Sequence, residues 1–299
     1  MMPTLFLSRQ QTTVLRGIAA IIIALFHVFI AWQWPRVVNI AGSVSVALFL
    51  LLSGFGIHES YKVNGLKDYW HKKLKRIIVP YWLFLAIVTL FQGWPGWKVL
   101  LLDACFIQSD FWFIPYLMRC YLVYWIVQRW LSKWLIPAFI IIGFIALNTL
   151  QQIEAEQSFS FFAGIMISRS IYSLRQKEKS FWLKVGIVSF MMGSAFMLLK
   201  EIPAVHAYKG TLIYNYILLF IKLPLAIPFL LLPTLIRFLQ QSRLLYVAGL
   251  ASLEIYLVHL PFVPYVEENV QSFLLFMLVV TICTYIYYTI NTKWIAKYL

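Results

Sequence analysis

The stretch LRGIAAIIIALFHVFIAWQW, Leu15–Trp34, carries one arginine and one histidine in an otherwise almost wholly apolar run. About 20 apolar residues, wound as a helix, cross the roughly 30 Å of a bilayer's hydrocarbon. The stretch therefore reads as a membrane span. It has no small-residue cleavage site, so it is not read as a removable signal peptide. The rest of the chain continues in the same way. Of its 299 residues 62% are hydrophobic and only 12% charged, and the mean hydropathy is +0.80. A soluble globule has about twice that share of charge. Soluble enzyme, disordered protein, coiled coil and nucleic-acid module are all excluded. The expected fold is an all-α polytopic membrane bundle forming a single domain over residues 1–299.

Ten apolar segments are long enough to span: 17–34, 38–58, 77–93, 111–128, 134–150, 159–174, 185–200, 212–236, 244–263 and 270–291. Val99–Ile107 is too short, and it is bracketed by Pro95-Gly96, Asp103 and Asp110. It reads as a re-entrant or interfacial piece. Placing the N-terminus in the cytosol puts Arg36, Lys98, Lys200 and Lys209 outside and Arg119 and Lys222 within spans. All the other lysines and arginines then fall on the cytosolic side. The acids Glu154, Glu156, Glu201, Glu267 and Glu268 fall outside. That asymmetry follows the positive-inside rule and implies that both termini are cytosolic. It also accounts for a net charge of +14 without any nucleic acid. Cys105, Cys120 and Cys283 are scattered, with no metal or redox spacing.

An ionisable side chain inside a span costs at least about 2.5 kcal/mol and is a functional candidate by default. The candidates are Arg16, His27, Arg119, Lys222, Glu254 and His259. Arg16 and His27 are 11 residues apart. Eleven residues turn a helix about 1100°, so both side chains share a face, roughly 16 Å apart along the axis. Taken alone, the pair reads equally as an interface anchor and a core histidine. HKKLKRIIVPYW, His71–Trp82, is a basic loop leading into a span, and its Pro80 would open the first turns. It suits phosphate binding, anionic lipid or plain topology determination. The small residues of SGFGI, Ser53–Ile57, suit close packing on a helix or a ligand. FWFIPYL, Phe111–Leu117, suits an aromatic belt. In SLEIYLVH, Ser252–His259, depth alone suggests Glu254 as partner of Arg119 or Lys222.

In order along the chain, LRGIAAIIIALFH (Leu15–His27), GSVSVALFLLLSGFGI (Gly42–Ile57), KKLKRIIVPYW, FWFIPYL and SLEIYLVH resemble the motifs of the acyltransferase-3 family. The resemblance covers nearly the whole chain. Lys73 stands where the family's basic motif usually has an arginine, which keeps the charge but loses the bidentate fork. Gly56 and Glu254 also depart from the usual pattern. The resemblance implies an O-acetyltransferase-like membrane enzyme of the bacterial inner membrane that modifies polysaccharide. It would move an acyl group, usually acetyl, from cytosolic acetyl-CoA or another acyl-CoA to a hydroxyl of a saccharide or lipid-linked glycan. Arg16 and His27 are then the catalytic candidates, with His27 either a general base or an acyl carrier. Lys73, Arg76 and Ser53 would hold the acyl-CoA, and Asp110, Trp112, Glu254 and His259 the acceptor. No metal is expected, and the partners beyond substrates are membrane lipids. A glycan transporter or flippase is the competing class, and an inactive scaffold a third. The absence of an inverted repeat weighs against a transporter.

Overall fold

A computed structural model describes residues 6–295, apart from the side chains at 36–39 and 294. The Arg36 side chain and Lys297, assigned to opposite sides above, lie outside the described residues. Described residues form helices and turns, with no strand among them. α1 (Arg9–Ala31) opens on a capping box. Ser8 Oγ accepts from the Gln11 N–H and Gln11 Oε1 accepts from the Ser8 N–H, each at 3.2 Å. Two otherwise orphaned donors are satisfied there, which fixes where the helix begins and so the depth of Arg16 and His27. At its far end Trp32 Nε1 donates to the Val266 carbonyl and Trp34 Nε1 to Glu268, both at 3.1 Å. That fastening ties the end of α1 to the segment just after His259.

α2 (Arg36–Asn64) follows, then α3 (Tyr69–Gln92), α4 (Trp97–Ala104), α5 (Phe113–Trp130) and α6 (Ser132–Thr149). α7 (Ser160–Arg169) is broken at Ser170 from the short turn Ile171–Arg175. α8 (Lys179–Glu201) and α9 (Leu212–Leu235) pack on one another, and α9 carries Pro224, Pro228 and Pro233 inside it. α10 (Arg243–Leu250) and α11 (Ser252–His259, extended in a tighter coil to Tyr265) meet at a 72° bend. α12 (Val270–Ile290) closes the bundle.

Among the described residues seven helices are long and apolar enough to cross a membrane: α1, Ile40–Asn64 of α2, α3, α6, α8, α9 and α12, and the bent α10–α11 pair makes an eighth if counted as one. The sequence reading of ten included α5, which carries Arg119 and Arg129, and a sixth span that is broken after only ten helical residues of α7. α2 and α9 bury 67% and 61% of their apolar windows against 11% for α8. α2 and α9 are therefore the core, while the apolar face of α8 is suited to lipid.

Three local outcomes differ from the sequence reading or sharpen it. The basic stretch is not a loop, because α3 begins at Tyr69 and holds Lys72 to Arg76 on helix. Leu74–Ile78 forms a π turn just ahead of Pro80. Pro80 offers no N–H and would crowd the carbonyl four residues back, and a widened turn relieves both. α4 has eight residues, far too few to span, and exposes Trp97, Val99 and Leu101, consistent with a re-entrant or interfacial piece. The glycines mark close helix crossings. A Cβ on Gly54 of α2 would lie 1.9 Å from the Phe161 carbonyl oxygen, and one on Gly164 of α7 the same distance from that of Leu51. Gly17 of α1 and Gly249 of α10 form a like pair against Leu245 and Thr13.

Candidate active site

Four helices bring polar groups together near the end of α1 that holds Arg16. Arg16 of α1 lies against α2 at Gly56, where a Cβ would be 3.3 Å from the guanidinium Nη2. The glycine, a departure from the family pattern, thus leaves room for that side chain. Lys73 of α3 stands 3.8 Å above the Tyr121 ring of α5 and 5.5 Å from that of Tyr69, a cation–π arrangement. Tyr69 donates its hydroxyl proton to the Tyr121 carbonyl at 2.7 Å, which docks the start of α3 on α5. Ser53 of α2 lies beside the Tyr121 hydroxyl. Arg16 and Arg76 lie within electrostatic reach of Lys73 and of each other. None of these three cations has a carboxylate partner among the described residues. Three clustered positive charges without an acid give a local positive potential suited to an anion.

Further along the same face of α1, His27 meets His259 of α11. The His27 Nδ1 is 2.9 Å from the Ile23 carbonyl and 3.1 Å from His259 Nε2. The His259 Nδ1 is 2.8 Å from the Ile255 carbonyl. Both nitrogens of His259 are engaged, while His27 Nε2 has no hydrogen-bond partner among the described residues. The Phe26 ring beside His27 occupies space left by Gly42, whose Cβ would fall 2.2 Å from it. Tyr256 packs on His259 at 6.0 Å between ring centroids and on Phe113 at 5.4 Å.

A family model described as an acyltransferase domain matches residues 11–292. The chain belongs to the acyltransferase-3 family. Neither a curated protein nor a solved structure matches it.

This acyltransferase-3 protein therefore places Arg16, Ser53, Lys73 and Arg76 in one cluster and pairs His27 with His259. The other expected acceptor residues are dispersed. Glu254 accepts from Asn291 at 2.9 Å and both are buried. His259 lies five positions after Glu254, so their side chains leave α11 about 140° apart. Asp110 is exposed, and Trp112 packs on Tyr116 at 6.4 Å. In FWFIPYL it is Phe111 and Phe113, not Trp112, that reach Tyr256. Asp103, on α4 outside the spans, is the carboxylate built into this side: Tyr81 donates to it, and Tyr81 and Ser109 are 2.7 Å apart. Burial raises its carboxyl above the ordinary range, an effect the Tyr81 and Ser109 hydrogen bonds oppose.

The guess that Glu254 neutralises Arg119 or Lys222 is overturned. Arg119 grips Glu154 with both terminal nitrogens, Nη1 to Oε2 at 3.2 Å, and Lys222 pairs with Glu156. Both acids are buried, on a turn that follows α6 rather than in a solvated loop. Two cations within spans demand two acids, and the Glu-x-Glu spacing was the overlooked signal. Tyr121 was also missed. An aromatic two residues from Arg119, on nearly the opposite face of an apolar helix, carries no mark of its own until α3 is docked on it.

Proposed function

We propose that this protein is a ten-pass inner-membrane enzyme of bacteria, with cytosolic termini, that transfers an acyl group, acetyl in the usual case. The donor is cytosolic acyl-CoA and the acceptor a hydroxyl of a surface saccharide or lipid-linked glycan. The ten passes count α5, the broken α7 and the bent α10–α11 pair. What carries the reading is the layout of α1. An acid-free cationic cluster surrounds Arg16, and a histidine with one bare nitrogen lies about 16 Å further along the same face. The donor's phosphates, too charged for hydrocarbon, suit Arg16, Lys73 and Arg76. Its thin pantetheine arm, extended, reaches toward His27. There Nε2 can take the acceptor's hydroxyl proton as a general base.

A transporter draws no support from the intramembrane charges, because Arg119 and Lys222 already have buried carboxylate partners. The test is purified protein in detergent with labelled acetyl-CoA. Label should pass to a glycan acceptor, or slowly to water, and His27→Ala should abolish both. Unchanged turnover in that variant would remove His27 from the chemistry.

A further inference from the structure

We propose that His259 is a positioning residue for His27, a neutral orienting partner that fixes the proton on His27 Nδ1 and leaves Nε2 bare. This rests on the reading of His27 as the site's base. A carbonyl oxygen only accepts, so His259 Nδ1, 2.8 Å from the Ile255 carbonyl, carries a hydrogen. In a neutral ring the other nitrogen is then a bare acceptor. That bare Nε2 lies 3.1 Å from His27 Nδ1. Two bare nitrogens would face one another there unless His27 Nδ1 carries the hydrogen, and the Ile23 carbonyl at 2.9 Å demands the same donor. One N–H shared by two acceptors holds the ring in place and turns the Nε2 lone pair away from His259. The two acceptors come from different helices, α1 and α11, so the ring is oriented by tertiary packing.

The chemistry follows in one balanced step. The acceptor's O–H proton passes to His27 Nε2 while its oxygen forms a C–O bond to the thioester carbonyl carbon. The C–S bond breaks, and the departing thiolate recovers the proton from Nε2, leaving an ester and free CoA thiol. While His27 is cationic, its Nδ1–H bond to His259 becomes charge-assisted. A second proton on the pair would put two cations 3.1 Å apart, so the pair takes one only. A neutral imidazole thus supplies the orientation that a carboxylate gives elsewhere, without a second buried charge in the membrane. With both nitrogens engaged, His259 has no polar atom left for a sugar, so the structure assigns it to His27 rather than to the acceptor.

The test compares His259→Phe, which fills the volume without an acceptor, with His259→Gln, which restores one. In labelled acetyl-CoA turnover, His259→Phe should lose about 100-fold in kcat with the acetyl-CoA KM within about threefold of wild type. His259→Gln should recover about tenfold of that loss. A Phe variant within about threefold of wild-type kcat, or equal losses in the two variants, overturns the proposal. A second readout does not depend on turnover. Nitrogen-15 spectra of histidine-labelled protein should show the His27 proton on Nδ1 and a through-bond coupling to His259 Nε2. A proton on His27 Nε2, or no coupling, overturns the proposal. If the spectra are as expected but the wild type transfers no acyl group, only the acyltransfer reading fails.

Discussion

The crossing of α2 and α7 can be tested by adding a single carbon. Gly54 and Gly164 each face the other helix's backbone, and a Cβ on either would sit 1.9 Å from a carbonyl oxygen. A carbon–oxygen contact needs about 3.3 Å, so alanine at either position drives the helices apart by about 1.4 Å. A gap of that size forfeits much of the dispersion energy along the seam, and overpacking of this kind costs about 3 kcal/mol. Alanine returns about 1 kcal/mol in helix propensity. The expected net loss is about 2 kcal/mol for Gly54→Ala or Gly164→Ala. In thermal unfolding of detergent-solubilised protein this is a drop of roughly 4–8 °C. The double variant should lose far less than the sum, because one separation makes room for both carbons. Ser53, next to Gly54, would move from the Tyr121 hydroxyl, so acyl-CoA binding should weaken as well. Alanine variants as stable as wild type, or strictly additive losses, would refute the reciprocal contact.

Glu156→Gln leaves the buried Lys222 without its acid and should destabilise by about 3–5 kcal/mol, whereas the double change to methionine should recover most of that; thermal unfolding decides. Lys73→Ala and Arg76→Ala should each raise the acetyl-CoA KM about tenfold at low salt with little change in kcat. The difference from wild type should shrink at high ionic strength, and a salt-independent effect would argue against charge pairing. Asp103, held above its ordinary pKa, contributes stability that is full below about pH 4 and lost as pH rises through its raised value. Asp103→Asn cannot ionise, so its melting temperature should exceed that of wild type near pH 7 and converge with it near pH 4; a pH-independent difference would contradict the assignment.

Much of the site was legible in the chain because local periodicity carries it. Arg16 and His27 share a face by helix geometry alone, and the basic run before Pro80 marks a concentration of positive charge wherever it docks. The partners of these groups were not legible. Tyr121 approaches Lys73, and His259 approaches His27 across 232 residues. Glu154 and Glu156 looked like an outer loop because nothing local reveals that α5 and α9 will meet them with cations. Gly54 and Gly56 are two apart in one motif yet do different work, the first seating α7 and the second making room for Arg16.

Composition and hydropathy determined by themselves that this is a helical membrane protein, because no water-soluble fold can bury so much apolar side chain. They also determined which side chains are costly enough in a bilayer to need a reason. Which polar group satisfies which was decided only in three dimensions. Hydrogen bonds and ion pairs act over about 3 Å, and that proximity is set by helix crossings that glycine contacts permit and that no single helix's periodicity encodes.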